Sequence, residues 1–172
     1  MATFNESFED LSLWTRESGS DRPYTVGALG ARTGTNGLII DPSNVFNQEK
    51  ALILTGGFTS SGDSSITIWL KKPFGEFGTL KTYIDDVLVS TISYTSILTS
   101  FKQFTLASNI PAGNHTLKFT CVYDSDGDTF YADDLQITNV LESTGTTQFI
   151  VPQLNTNNLS IGYDPLNGGI IV

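Results

Sequence analysis

One histidine, one cysteine and eighteen Asp or Glu residues are the groups from which this 172-residue chain could build chemistry. Ser-His-Asp or Cys-His catalysis would have to use His115, which alternates in phase with Leu117 and Phe119 after a Pro-Ala-Gly-Asn turn. No Gly-x-Ser-x-Gly elbow accompanies it. Cys121 lies on the same strand, where side chains two positions apart are separated by roughly 7 Å, and its alternation with Leu117, Phe119 and Tyr123 reads as a core thiol. Glycoside hydrolysis needs two facing carboxylates. The pairs Asp85-Asp86 and Asp133-Asp134 are adjacent, so within a strand their side chains point to opposite faces. Zinc and phosphate-loop spacings are absent as well. The expectation is that the chain is not an enzyme.

Other residues carry binding chemistry. Trp69 lies opposite the Ile66, Ile68, Leu70 face of its strand, and Tyr83 lies opposite Leu80, Thr82 and Ile84. In a two-layer sandwich one face of each sheet is outward, so these rings are candidates for stacking on sugars. Asp133 shares an alternating set with Tyr131, Leu135 and Ile137. A carboxylate on so apolar a face must be paired, hydrogen-bonded or bound to a cation; a position at the sheet's rim, capped by backbone N–H groups, is the alternative. The run Asp124 to Asp128 has part of a calcium-loop spacing without the distal Glu, and reads as an acidic hairpin turn.

The elements that position these groups are strands. Period-two alternation is clearest from Ser64 to Lys71 and recurs over Tyr24–Leu29, Leu38–Asp41, Ala51–Thr55, Leu80–Ile84, Val87–Ile92, Phe101–Ala107, His115–Tyr123 and Thr129–Thr138. Gly, Asn, Asp, Ser and Pro clusters punctuate them, and no helical stripe is sustained over ten residues. Two packed antiparallel sheets follow. A net charge of −9 with pI near 4.3 argues against a nucleic-acid partner, which Lys and Arg would have to hold. No apolar run approaches a membrane span, and a lone cysteine allows no intrachain disulfide. The start Met1-Ala-Thr-Phe4 lacks a secretory pattern, so synthesis in a cytoplasm is expected, and the sequons at Asn5, Asn114 and Asn158 read as chance.

After about Val140 the composition turns to Thr, Asn, Gly and Gln with small apolar islands: Phe149, Ile150 and Val151, then Leu159 and Ile161, then Ile170. The expected organisation is a sandwich over residues 1–140 and an extended C-terminal arm over 141–172, whose islands would dock on a neighbour.

Several segments in order carry a resemblance: Phe8-Glu-Asp-Leu-Ser-Leu-Trp14, Gly30-Ala-Arg-Thr-Gly-Thr-Asn-Gly-Leu38, Ile66-Thr-Ile-Trp69, Tyr83-Ile-Asp-Asp86, Ile110-Pro-Ala-Gly-Asn-His-Thr-Leu-Lys-Phe119 and Phe130-Tyr-Ala-Asp-Asp-Leu-Gln-Ile137. Together they resemble the jelly-roll β-sandwiches of the carbohydrate-binding-module and MAM-like type, concanavalin A-like or galactose-binding-like. The first segment resembles that group's first strand. The resemblance implies an all-β, two-sheet antiparallel jelly roll and one structural Ca2+ that ties the first strand to the last through Glu9 and Asp133. Two functions are then in play. One is a virion component, such as a tailed-phage capsid decoration, fibre or tail protein, displayed on the jelly roll and anchored by the arm to capsid or tail proteins or to further copies of itself. The alternative is a carbohydrate-binding module of a glycan-degrading or adhesion system, with a cell-surface glycan as partner.

Overall fold

The computed structural model of the chain describes residues 2–17, 23–41, 49–73, 79–122, 129–141, 162–164 and 169–171. Its strands are β1 (Ala2–Glu6), β2 (Trp14–Arg16), β3 (Tyr24–Gly27), β4 (Gly37–Ile40), β5 (Lys50–Leu54), β6 (Phe58–Ser60), β7 (Ser64–Lys71) and β8 (Thr79–Ile84). There follow β9 (Val87–Ser93), β10 (Lys102–Ile110), β11 (Gly113–His115), β12 (Leu117–Val122), β13 (Phe130–Val140), β14 (Gly162–Asp164) and β15 (Gly169–Ile171). Met1–Glu142 and Ser143–Val172 are separate compact units. In the second, β14 and β15 pair antiparallel, with Tyr163 opposite Ile170. Phe149, Ile150, Val151, Leu159 and Ile161 lie outside the described residues, as does the Asp124–Asp128 loop.

The first unit is the expected jelly-roll sandwich. One antiparallel sheet has eight strands, with β10-β7-β13-β4-β3 as its main path and β1, β6 and β11 attached; the other has five, in the order β2-β5-β12-β8-β9. Alternation writes the faces: β7 reads buried, half-buried through all eight residues, and β8 does the same through six. Leu38, Ile66, Ile68, Leu70, Leu135 and Ile137 from the large sheet meet Leu52, Leu80, Leu117 and Phe119 from the small one in a single core. Trp14 joins them, its ring 5.5 Å from Phe8 and 5.6 Å from Phe119, with Nε1–H donated to Glu6 at 3.1 Å. Cys121 is fully buried, and burial raises its thiol to about 11, so it packs as the inert core residue expected.

Two expectations need correction. Phe8 to Leu13 is a connection between β1 and β2, not a strand; Phe8 itself has a positive φ of 52° and is buried. Alternation also fails inside β13. Phe130 and Ala132 point into the core before Asp133, and Leu135 and Ile137 do so after it, because Asp134 adopts φ 48° and the register with β7 shifts between Asp133 and Gln136. The extra residue reverses the phase. Tyr131 therefore faces outward instead of sharing the inner face with Leu135 and Ile137.

The same irregularity makes the gap in which the site is built. One edge of β13 pairs first with β4, through Phe130 to Ala132, and then with β1, from Leu135 onward. Asp133 and Asp134 lie between, where neither neighbour continues.

Candidate functional site

The gap is filled by the loop from Ala31 to Asn36. Its neck is a contact of two backbones: a Cβ on Gly37 would lie 2.1 Å from the Gly30 carbonyl oxygen, and one on Gly30 would lie 2.6 Å from Gly37. Only glycine fits at both positions. The loop is then latched at two points. Asp133, fully buried, accepts Arg32 N–H at 2.6 Å and Thr33 N–H at 2.8 Å on Oδ2, and Asp134 N–H at 2.8 Å on Oδ1. Glu9 accepts Thr35 N–H at 2.8 Å and Asn36 N–H at 3.0 Å. Burial pushes the Asp133 carboxyl up from the usual range, against the pull of its N–H donors and with a further push from Asp134.

These are the two residues to which the resemblance assigns calcium. The structure sets them, from the β1–β2 connection and from β13, against successive residues of the 31–36 loop, and backbone N–H groups face the oxygen atoms that a cation would need. Among the described residues no three His, Cys, Asp or Glu side chains come together as a metal set. The residues present do not fit the ion. They fit a latch.

The latch places Arg32 on the outer face of the eight-stranded sheet. Its guanidinium carbon stands 3.8 Å over the Trp69 ring, and the same side chain is ion-paired with Asp134. Asn5, Arg32, Trp69, Gln103, Asp134 and Gln136 line a groove of about 340 Å3. Gln103 lies opposite Trp69 across β10 and β7, and Gln136 opposite Thr67 across β13 and β7. The Gln103 amide donates to Thr67 at 3.3 Å and the Gln136 amide to Asn5 at 3.0 Å, each keeping further donor and acceptor capacity. Farther along the face the Lys71 ammonium lies 4.5 Å from the Phe101 ring and 5.0 Å from that of Tyr131.

Tyr83 is not part of this groove. β7 and β8 follow one another in the chain but belong to different sheets, so their outward faces look in opposite directions. On its own face Tyr83 is enclosed by partners: its hydroxyl donates to Glu49 at 3.4 Å, and the Lys118 ammonium is 4.9 Å from its ring. Lys81 pairs with Glu49, and Lys118 with Asp86 at 2.5 Å. Arg32, Gln103, Gln136, Tyr131 and Phe101 carry no motif of their own; the alternation that exposes Trp69 also exposes Lys71, and that was the available signal.

A second groove, of about 500 Å3, lies where the edge strands β9 and β10 approach; Ile84, Val89, Leu106, Asn109, Ile110 and His115 line it. His115 Nδ1 is 2.7 Å from Asp85 Oδ2 and Nε2 is 3.1 Å from the Pro111 carbonyl. Both ring nitrogens face acceptors, an arrangement that suits the imidazolium. Desolvation lowers the His115 pKa, but the hydrogen bonds and the Asp85 charge outweigh it and the net shift is upward. The hydrogen bond from His115, with those from Thr116, lowers Asp85. Asp85 and Asp86 both have positive φ, 51° and 61°, the conformation of a tight turn between β8 and β9.

No protein-family model matches the sequence, and no curated protein matches it. Solved structures match the fold. A cleaved adhesin domain of Lys-gingipain from Porphyromonas gingivalis superposes with a TM-score of 0.64 at 15% identity, covering 80% of this chain and 98% of that one. The CBM22-1 xylan-binding domain from Paenibacillus barcinonensis gives 0.55 at 17% identity over 80% and 92%. A family 35 carbohydrate binding module from Clostridium thermocellum gives 0.52 at 15% identity over 81% and 99%. The likeness is of fold: this chain has the jelly-roll sandwich of carbohydrate-binding and adhesin modules.

Proposed function

We propose that the chain is a non-catalytic glycan-binding domain whose contact surface is the outer face of the eight-stranded sheet around Trp69. The observation that carries this reading is an indole set in a groove beside the amides of Asn5, Gln103 and Gln136. Ring stacking supplies area, and amides match the donor and acceptor pairs of sugar hydroxyls. The fold neighbours support it, since the domains they come from are described as xylan-binding, carbohydrate-binding or adhesin modules. A virion role finds no support in those neighbours.

The chemistry of the described residues agrees with binding without turnover. Both nitrogens of His115 are already engaged, which leaves none to activate a hydroxyl. The Cys121 thiol is buried and held protonated. The Asp133 and Glu9 carboxylates are taken up by N–H groups. Affinity electrophoresis of the full chain through gels containing plant, algal and bacterial polysaccharides tests the proposal. Retardation in at least one polymer, reduced at least about tenfold by Trp69→Ala, is expected. Migration unaffected by every polymer, or retardation indifferent to Trp69→Ala, contradicts it.

A further inference from the structure

We infer that the glycan taken by this face is acidic, carrying carboxylate or sulfate groups that Arg32 and Lys71 contact. The inference rests on the glycan-binding reading above and adds the chemical class of ligand. Its basis is the state of the aromatic rings. Trp69 is capped by the Arg32 guanidinium at 3.8 Å, and Phe101 and Tyr131 flank the Lys71 ammonium at 4.5 and 5.0 Å. A neutral sugar stacks its C–H face on a bare ring, and here it would first have to displace a cation, at a cost of about two- to fivefold in affinity for each. An anionic sugar has no such conflict, because it can contact the cations where they already stand.

The cations are also the groups with capacity to spare. Arg32 offers donors only, and its pairing with Asp134 leaves other N–H groups of the fork. Lys71 makes no ion pair among the described residues, whereas Lys81 and Lys118 on the opposite sheet each bond a carboxylate. Arg32 is matched by Asp134, and the Glu6 carboxylate that also lines the groove is held by Phe8 N–H and the Trp14 indole, so Lys71 is a cation of this face with no carboxylate partner among the described residues, on a protein of net charge −9. That global charge opposes long-range attraction of a polyanion, so the preference must come from contact, within a Debye length of about 8 Å. Trp69 and Lys71 share one strand face about 7 Å apart, which lets one short stretch of polymer meet both.

Matched pairs of polymers test this: glucuronoxylan, polygalacturonate and alginate, each against its carboxyl-reduced form, with chondroitin sulfate against chondroitin. The full chain is titrated with each by calorimetry. At least one acidic polymer should bind about tenfold more tightly than its neutral or less charged partner. Lys71→Met, which touches no loop latch, and Arg32→Gln should each erase most of that difference, while Lys118→Met, the same charge change on the other sheet, should leave it intact. Equal or tighter binding of the reduced polymers, still lost in Trp69→Ala, overturns the acidic ligand and leaves the glycan reading standing. Binding to no polymer of either kind overturns both.

Discussion

The two outer faces of the sandwich are built from the same alternation and end in opposite conditions. On the five-stranded sheet the polar groups answer one another: Lys81 and Tyr83 meet Glu49, and Lys118 meets Asp86. The charged groups named on that face are paired with one another, while Val87, Leu88 and Val89 at the β9 edge of the same sheet stay exposed. On the eight-stranded sheet the half-buried Trp69 and the glutamine amides line a groove, a latched loop lays Arg32 over it, and Lys71 stands farther along the same face. Burial alone does not separate the faces, since Trp69 and Tyr83 are both half-buried. What separates them is that Lys81 and Lys118 on the five-stranded face are ion-paired, whereas on the eight-stranded face Lys71 has no carboxylate partner among the described residues and the groove amides keep spare donor and acceptor capacity.

The largest way to break the contrast is at the loop's neck. Gly37→Ala drives a methyl group into the Gly30 carbonyl and should cost about 3 kcal/mol or more in denaturant unfolding, with glycan binding lost in the fraction that still folds. Full stability in that variant would show that the neck is not the close contact described.

A smaller break is Asp133→Asn, which sets an NH2 group against N–H donors and should cost about 1–2 kcal/mol. Because these oxygens hold N–H groups, EDTA should leave the melting curve of the wild-type chain unchanged. A drop of several degrees with chelator, reversed by Ca2+ and absent in Asp133→Asn, would restore the calcium assignment.

The five-stranded face should give the smaller stability response. Its ion pairs are exposed, and such pairs contribute about 0–1 kcal/mol, so Lys81→Met should shift stability by less than about 0.5 kcal/mol. Tyr83→Ala should leave glycan affinity unchanged. A loss of binding there equal to that of Trp69→Ala would erase the distinction between the faces.

The smallest effect lies at the edge, in the His115–Asp85 pair. His115 is raised on folding, so its contribution is complete below its ordinary value of about 6.5 and is lost as pH rises through the raised value. Asp85 is lowered, so its contribution is present above about 3.8 and is lost as pH falls through the lowered value. Melting temperature should therefore be highest between those limits and decline gently on the alkaline side, with the decline missing in His115→Gln. An identical profile in both proteins would mean that the pair stabilises nothing.

Much of this was legible in the chain. Alternation identified β7 and β8 and turned Trp69 and Tyr83 outward, because side-chain direction along a strand is a local property. Which sheet each strand joins is not local, and a single crossover after Lys71 put the two rings on opposite sides. The burial of Asp133 was also readable, but its partners come from a loop a hundred positions earlier in the chain. Asp134 hid the true phase of Tyr131, since one residue in a left-handed conformation leaves no mark in a hydrophobic pattern. Arg32 stands in the sequence only as one residue of the segment from Gly30 to Leu38; its place over Trp69 follows from the Gly30–Gly37 neck and the Asp133 latch together.

The most direct test of the central claim is a map of where a bound glycan touches. Amide and indole chemical shifts of the isotopically labelled full chain should be followed while a binding polysaccharide fragment is added. The account predicts that the Trp69 indole N–H and the amides of Thr67, Gln103 and Gln136 move together with saturation, while Lys81, Tyr83 and Lys118 stay still. Saturable shifts centred on Tyr83, or on the groove beside His115, with Trp69 unmoved, would contradict it.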